Sequence, residues 1–179
     1  MVDPFTAELW GRRFLLFGLV LVAIFVNLLP LQPGGSTLPW PDLIFCLMAA
    51  WAIRRPVLVP LGMVLVVGLL TDFLFLRPPG VWTIMLILSF EILRIQARRE
   101  GTMSGATEAG TIAVVFTSAF LGNRLFLGIF AVPQAPLGAT LLELLLTLML
   151  YPLVALVTVF IFQVRRPDPT DIQGLRGRG

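Results

Sequence analysis

This sequence predicts an all-α membrane protein with six transmembrane helices, and three observations support that fold. Hydrophobic residues make up 58% of the 179 residues and charged residues only 13%, which excludes a soluble globular protein. Six apolar segments use most of the length, so no room is left for a separate water-soluble domain. All thirteen basic residues are arginines, and the twelve that lie outside the apolar segments fall mainly on alternate sides of them, while Arg124 lies within helix 5.

The arginines also predict the orientation of the helices. The two ends and five connections, counted from the N-terminus, carry 2, 0, 2, 1, 3, 0 and 4 arginines. Cytoplasmic loops retain positive charge because it resists translocation. We therefore expect a multi-pass protein of the bacterial inner membrane, with both termini in the cytoplasm.

The first three helices are expected at about 14–31, 38–53 and 57–76. A transmembrane helix needs roughly 20 apolar residues, so helices 1 and 3 have a suitable length and helix 2 is short. Taken alone, helix 2 or the similarly short helix 4 could be a re-entrant segment. Removing either from the count would place Arg54 and Arg55 or the arginines at 94–99 outside the cell, so six spans is the more economical interpretation.

The last three helices are expected at about 79–93, 105–132 and 137–164, followed by a flexible cytoplasmic tail at 165–179. Helix 4 is short, whereas helices 5 and 6 exceed the bilayer thickness and should tilt or project from it. Pro152 lies in the middle of helix 6 and should kink it, because proline lacks the N–H that would bond the preceding turn. The kink is either a hinge or a static packing feature.

Four ionisable residues are predicted to share the outer layer of the membrane. Asp42 opens helix 2, Asp72 lies near the end of helix 3, and Arg124 and Glu143 lie in the outer halves of helices 5 and 6. Charges within spans are costly and mark candidate functional sites. We expect Arg124 to form a buried ion pair with Asp72 or Glu143, and Asp42 to cap its helix. The alternative is a polar pocket that opens to the periplasm for a ligand or partner.

The composition leaves little chemistry for an enzyme. The chain has no histidine, which excludes histidine-based acid–base catalysis and metal ligation. It has no glycine-rich phosphate loop, serine elbow or metal-spaced carboxylate cluster, and no basic patch suited to nucleic acid. The single cysteine, Cys46, cannot form a disulfide within one chain. We therefore expect a protein without catalytic activity, cofactor or metal.

Short motifs in the middle third of the chain resemble a known family. Their order is Pro41-Asp42-Leu43 at the start of helix 2, Arg54-Arg55-Pro56 between helices 2 and 3, Gly68-Leu69-Leu70-Thr71-Asp72 late in helix 3, and Pro78-Pro79-Gly80 before helix 4. This order, the length and the six-span topology resemble the rod shape-determining protein MreD family.

The resemblance implies a non-enzymatic scaffold of the bacterial cell-elongation machinery. Such a scaffold binds MreC and helps to connect the cytoplasmic actin-like filament to the transglycosylase and transpeptidase that extend the side wall. The family is thought to share its six-helix architecture with the substrate-binding subunits of energy-coupling-factor transporters. On that view Asp42, Asp72 and Gly80 would line or support an outward-facing pocket, to which charge and depth add Arg124 and Glu143.

A vitamin-binding subunit of such a transporter is the alternative function. That function would require aromatic and polar groups that converge on one pocket. We expect Trp40 and Trp82 to be interfacial anchors at helix ends instead. Few polar side chains would then remain to recognise a small molecule, which favours the scaffold.

Overall fold

The computed structural model describes residues 4–29, 39–99 and 105–164, and this part of the chain is helical. It contains one 3₁₀ turn and six α-helices, which confirms the all-α prediction. The α-helices are α1 (Pro4–Leu28), α2 (Leu43–Arg54), α3 (Leu61–Leu74), α4 (Val81–Arg99), α5 (Gly105–Ile129) and α6 (Leu137–Phe160), and the 3₁₀ turn is Pro56–Leu58 between α2 and α3.

The first helix begins well before the predicted residue 14. The two arginines that precede the apolar segment do not end the helix, because arginine is a good helix former. Arg12 also forms an ion pair of 3.0 Å with Glu8, one turn earlier on the same helix face. The helix α1 therefore carries its arginines within its first half rather than in a preceding loop.

The second and third helices are shorter than predicted. The helix α2 starts at Leu43 rather than at residue 38, because Asp42 caps it. The helix α3 starts at Leu61 rather than at residue 57, because the 3₁₀ turn opened by Pro56 comes first. Pro56 occupies the first position of the 3₁₀ turn, where its missing N–H would have had no partner, and Pro60 lies at the N-cap of α3.

The remaining boundaries differ mainly at the ends of the helices. The helix α4 continues through Arg98 and Arg99 to six residues beyond the predicted end, and these arginines complement the negative end of the helix dipole. The helix α5 starts at the predicted residue but ends at Ile129, because Ala131 adopts a left-handed conformation with φ of 52°. The helix α6 also starts as predicted, ends at Phe160 and continues through Pro152.

The shortest helix lies at the centre of the bundle. All ten residues from Ile44 to Ile53 of α2 are buried, and α2 contacts α1, α4 and α6. Twelve residues of α-helix measure about 18 Å, less than the roughly 30 Å of a bilayer hydrocarbon core. The helix α2 is therefore screened from lipid by its neighbours, which explains why its sequence is uniformly apolar.

Aromatic side chains fill the space between α2, α4 and α5. The ring of Phe45 lies 4.4 Å from that of Phe116 and 5.6 Å from that of Phe90, measured between centroids. Phe120 extends this cluster to Trp82, whose ring meets it edge-on. These tilted and edge-on arrangements are the favourable ones for aromatic pairs. The three helices thus share one aromatic core.

Three helical segments are long and apolar enough to cross a membrane, namely Thr6–Leu28, Gly105–Ile129 and Leu137–Phe160. Large apolar side chains such as Phe25, Leu125 and Phe160 are exposed on their outer surfaces. A bundle that exposes this much apolar surface is suited to lipid rather than water. The helices are therefore consistent with insertion into a membrane.

We name the ends of the bundle after the predicted topology. The outer end contains the α3–α4 and α5–α6 connections, and the inner end contains the α2–α3 connection. The predicted tail at 165–179 and the predicted helical residues 30, 31 and 38 lie outside the described residues. The predicted kink at Pro152 stays a prediction.

Candidate functional site

Asp42 caps α2 and joins it to α6 at the outer end. Its carboxylate oxygen Oδ1 accepts a hydrogen bond of 2.8 Å from the backbone N–H of Phe45, which confirms the capping role. The backbone N–H of Asp42 donates to the hydroxyl of Thr147 in α6, also at 2.8 Å. Asp42 therefore caps the start of α2 and fixes the position of α2 along α6.

Asp72 binds the start of α4 from the last turn of α3. Its Oδ2 atom accepts hydrogen bonds from the N–H of Gly80 at 2.8 Å, the N–H of Thr83 at 3.3 Å and the hydroxyl of Thr83 at 2.7 Å. Asp72 is fully buried, and its charge lies where the free N–H groups of a helix N-terminus favour an anion. The carboxylate therefore locks the α3–α4 hairpin.

The turn between these helices has a defined geometry. The N–H of Arg77 bonds the carbonyl of Asp72 at 2.9 Å, and Leu76 adopts a left-handed conformation with φ of 54°. This combination is a Schellman ending of α3. Gly80 has φ of 93°, a conformation that glycine adopts without steric cost. The Pro-Pro-Gly segment thus reverses the chain so that the N–H of Gly80 faces Asp72.

Gly68 allows α3 and α4 to approach each other closely. A Cβ atom at this position would lie 2.9 Å from the side chain of Thr83 and 3.0 Å from its Cα atom. Because Thr83 is also a ligand of the Asp72 carboxylate, the close approach and the capping interaction depend on each other. Gly68, Asp72, Gly80 and Thr83 form one unit, which we call the hairpin lock.

The predicted ion pair of Arg124 is wrong. Its Nη1 atom donates to the carbonyl of Ala135 at 3.0 Å and to the hydroxyl of Thr140 at 2.7 Å, both in the α5–α6 region. Within the described ranges no carboxylate lies within 4.0 Å of it. The Oδ2 atom of Asp72 instead accepts hydrogen bonds from N–H and hydroxyl groups at the start of α4, and its buried Oδ1 atom has no hydrogen-bond partner within the described residues. Depth alone could not exclude these pairs, because Asp72 binds the start of α4 and Arg124 meets Thr140 rather than Glu143 on α6.

Glu143 lines cavities at the outer end together with Arg77. These two residues line each of three adjoining cavities at the outer end, with volumes of about 40, 290 and 230 Å³. Asp42 lines the smallest cavity, and Arg77 interacts electrostatically with both Asp42 and Glu143. Arg124 lines the largest. The structure thus brings three of the five predicted site residues, Asp42, Arg124 and Glu143, to one set of cavities, which we call the outer cavities.

Arg77 is a site residue that the sequence analysis missed. Its guanidinium lies over the rings of Phe75 and Trp82, each at 5.5 Å from the centroid. Trp82 is therefore a buried wall of the outer cavities, 4% exposed, and the prediction of an interfacial anchor is wrong for it. A signal was available, since Arg77 is the one arginine assigned to an outer connection.

A second polar network, also missed, lies at the inner end. The guanidinium of Arg54 approaches Oε1 of Glu108 to 2.7 Å, and the hydroxyl of Tyr151 donates to the same oxygen at 2.6 Å. Glu108 and Tyr151 are buried, so this network joins α2, α5 and α6 inside the protein. We call these three residues the inner triad. Two sequence features could have indicated this network: Glu108 is a lone carboxylate in the first turn of helix 5, and Tyr151 is the single tyrosine of the chain.

Two further arginines hold the α2–α3 connection at the inner end. The guanidinium of Arg13 donates to the carbonyl of Val57 at 2.8 Å and 3.3 Å. Arg94 donates to the carbonyl of Val59 and pairs with Glu91 at 2.5 Å. The arginines that predict topology therefore also bind backbone carbonyls that the turn leaves without a helical partner.

The described residues contain no group of three or more acidic, cysteine or histidine side chains that could hold a metal ion. No family model, curated protein or solved structure matches the chain.

Proposed function

We propose that this protein is a non-enzymatic membrane scaffold of the bacterial cell-elongation complex, similar to MreD, and that it binds MreC. The proposal rests on the sequence motifs, and one observation supports it most. Three of the motif residues, Gly68, Asp72 and Gly80, form the hairpin lock together with Thr83. Motif residues that are separated along the chain thus contribute to one structural unit.

The hairpin lock supports a scaffold because it gives the outer surface a fixed shape. A partner that binds a preorganised surface loses less conformational entropy than one that must order a loop. In this proposal the outer end presents the α3–α4 turn and the rim of the outer cavities to the periplasmic part of MreC. The transglycosylase and transpeptidase of wall elongation would assemble on the same complex, and the actin-like filament would connect to it indirectly on the cytoplasmic side.

The proposed setting is the bacterial inner membrane, crossed six times, with both termini in the cytoplasm. The alternation of arginines supports this topology. A reporter enzyme that works only in the cytoplasm, fused after Gly179, should be active, and one that works only in the periplasm should be inactive. A second pair of fusions within the α5–α6 connection should give the opposite result. Periplasmic activity at the C-terminus would contradict the six-span topology.

Affinity purification from the native membrane in mild detergent tests the scaffold. We expect the tagged protein to recover MreC and wall-elongation enzymes, identified by mass spectrometry. The test variant is Gly68→Ala, which should disturb the hairpin lock, and its matched control is Gly62→Ala on the same helix, where a Cβ meets no atom within 4 Å. Loss of MreC with the first variant and its retention with the second would place the interface at the outer end. Absence of MreC from the wild-type sample would contradict the proposal.

The vitamin-binding alternative is favoured by the largest of the outer cavities. Its volume of about 290 Å³ is near the lower limit of small-molecule pockets, and Trp82, Arg77, Asn123 and Gln134 are among its lining residues. Recovery of an energy-coupling transmembrane subunit with paired ATPases in the same purification would favour this function.

A further inference from the structure

Arg124 has no carboxylate partner among the described residues. Arg12, Arg54 and Arg94 each lie within 4.0 Å of a carboxylate, whereas Arg124, like Arg13 in α1, donates to uncharged oxygens, here a carbonyl and a hydroxyl. A charge in an apolar segment is costly when no opposite charge accompanies it. An anion from outside the described chain would provide that compensation.

The depth of Arg124 matches the level of lipid headgroups. It lies five residues before the end of α5, which is about 8 Å along the helix axis. On the predicted topology this places its guanidinium at the outer boundary of the hydrocarbon core, within reach of a phosphate group. Arginine side chains near helix ends extend toward this level.

The surroundings of Arg124 combine a polar cavity with an apolar groove. On one side it lines the 290 Å³ cavity together with Arg77, Asn123, Gln134 and Glu143. On the other side it borders an open groove along α5, where the apolar side chains are strongly exposed. The groove is lined by Leu121, Leu125, Gly128, Ile129, Val132 and Gln134. Val132 and Gln134 line both spaces, so the cavity and the groove adjoin at Arg124.

We propose that an anionic phospholipid binds at this junction. Its phosphate would contact Arg124, its polar headgroup would face Asn123 and Gln134, and one acyl chain would follow the groove along α5. The charge of Arg77 is shared with Asp42 and Glu143, so Arg124 supplies the main attraction. This site does not depend on the scaffold function, because it requires only that α5 crosses the membrane.

The test is a lipid titration followed by native mass spectrometry. Detergent-purified protein is titrated with palmitoyl-oleoyl phosphatidylglycerol or with the matched phosphatidylcholine, and bound lipids are counted. We expect the first phosphatidylglycerol to bind Arg124→Gln about fivefold more weakly than the wild type, as for one arginine–headgroup contact. Arg124→Lys should retain most of the affinity. Arg98→Gln, which removes an exposed arginine at the opposite end of the bundle, should leave the affinity unchanged.

A second variant tests the acyl chain independently of charge. Gly128 is exposed in the groove, and a Cβ there would meet only the Nε2 atom of Gln134 at 3.6 Å, so Gly128→Leu should fold and narrow the groove. We expect it to weaken phosphatidylglycerol binding while Arg124 is intact. Equal binding by wild type and Arg124→Gln, or equal losses in Arg124→Gln and Arg98→Gln, would overturn the proposal. Displacement of the bound lipid by inorganic phosphate at comparable concentration would assign the site to a free anion and also overturn it.

Discussion

The two ends of the bundle satisfy their buried polar groups in different ways. At the inner end the ion pair of Arg54 with Glu108 crosses between α2 and α5, and Tyr151 completes it from α6. At the outer end the carboxylate of Asp72 binds N–H and hydroxyl groups, and Arg124 binds neutral oxygens. The inner triad therefore compensates charge with charge, whereas Asp72 and Arg124 at the outer end are bound by backbone and hydroxyl groups.

This difference indicates which end is available for binding. An ion pair that is closed within the chain needs no further partner, so the inner triad is explained by stability alone. The outer end retains cavities lined by Arg77, Arg124 and Glu143, and the charge of Arg124 has no carboxylate close by among the residues described. Binding sites arise where a fold leaves such groups accessible, which places the candidate site at the outer end.

The largest expected effect breaks the inner triad. Glu108→Ala would leave the guanidinium of Arg54 buried without its anion, and such single truncations cost about 3–5 kcal/mol. We expect this loss in the free energy of unfolding, measured in detergent by chemical denaturation. The triple variant Arg54→Met, Glu108→Leu and Tyr151→Phe should recover much of it, because it also removes the buried hydroxyl that bonds Glu108, and a buried ion pair replaced by apolar groups of similar volume is often close to neutral.

The exposed ion pair of Arg12 with Glu8 is the control for that experiment. The side chain of Glu8 is 61% exposed, so Glu8→Ala should change the free energy of unfolding by less than about 1 kcal/mol. Equal losses for Glu8→Ala and Glu108→Ala would mean that the inner triad has no special role.

A somewhat smaller effect is expected at the hairpin lock. Asp72→Ala would remove the acceptor of three hydrogen bonds at the start of α4. We expect the free energy of unfolding to fall by about 3 kcal/mol, since each bond to a charged group contributes about 1.5–3 kcal/mol and the three share one oxygen.

Combining Asp72→Ala with Arg124→Ala tests whether the two residues stabilise the protein independently. Because they share no hydrogen-bond partner, the two losses should add to within about 0.5 kcal/mol. A coupling larger than 1 kcal/mol would revive the ion pair that the structure excludes.

The smallest effect is expected from two glycines of α3. Gly68→Ala would force a Cβ against Thr83, and such overpacking costs about 1–3 kcal/mol. Gly62→Ala should be neutral or stabilise the protein by up to about 1 kcal/mol, because alanine favours the helix and has free space there. The difference between their unfolding free energies measures the close approach of α3 and α4. Identical values would show that this contact contributes nothing.

The sequence predicted the helices better than their contacts. Helix 5 starts at the predicted residue 105, which is a glycine. Helix 6 starts at the predicted residue 137, directly after Pro136. The predicted pairing of Arg124 failed because depth in a membrane restricts one coordinate only. Which residues meet also depends on the rotation of each helix and on its neighbours, and these are set by packing.

Composition and local chemistry alone determined the all-α class, the apolar character of the helices and the cap of α2 by Asp42, because these depend on residues close in sequence. The tertiary structure decided that the short α2 is central, that Asp72 binds Gly80 and Thr83, and that Arg54, Glu108 and Tyr151 meet. Such contacts join residues far apart in the sequence, 54 positions for Arg54 and Glu108 and 105 positions for the hydrogen bond of Asp42 with Thr147. Their partners are selected by the shape and polar satisfaction of the whole bundle, and no local pattern encodes that selection.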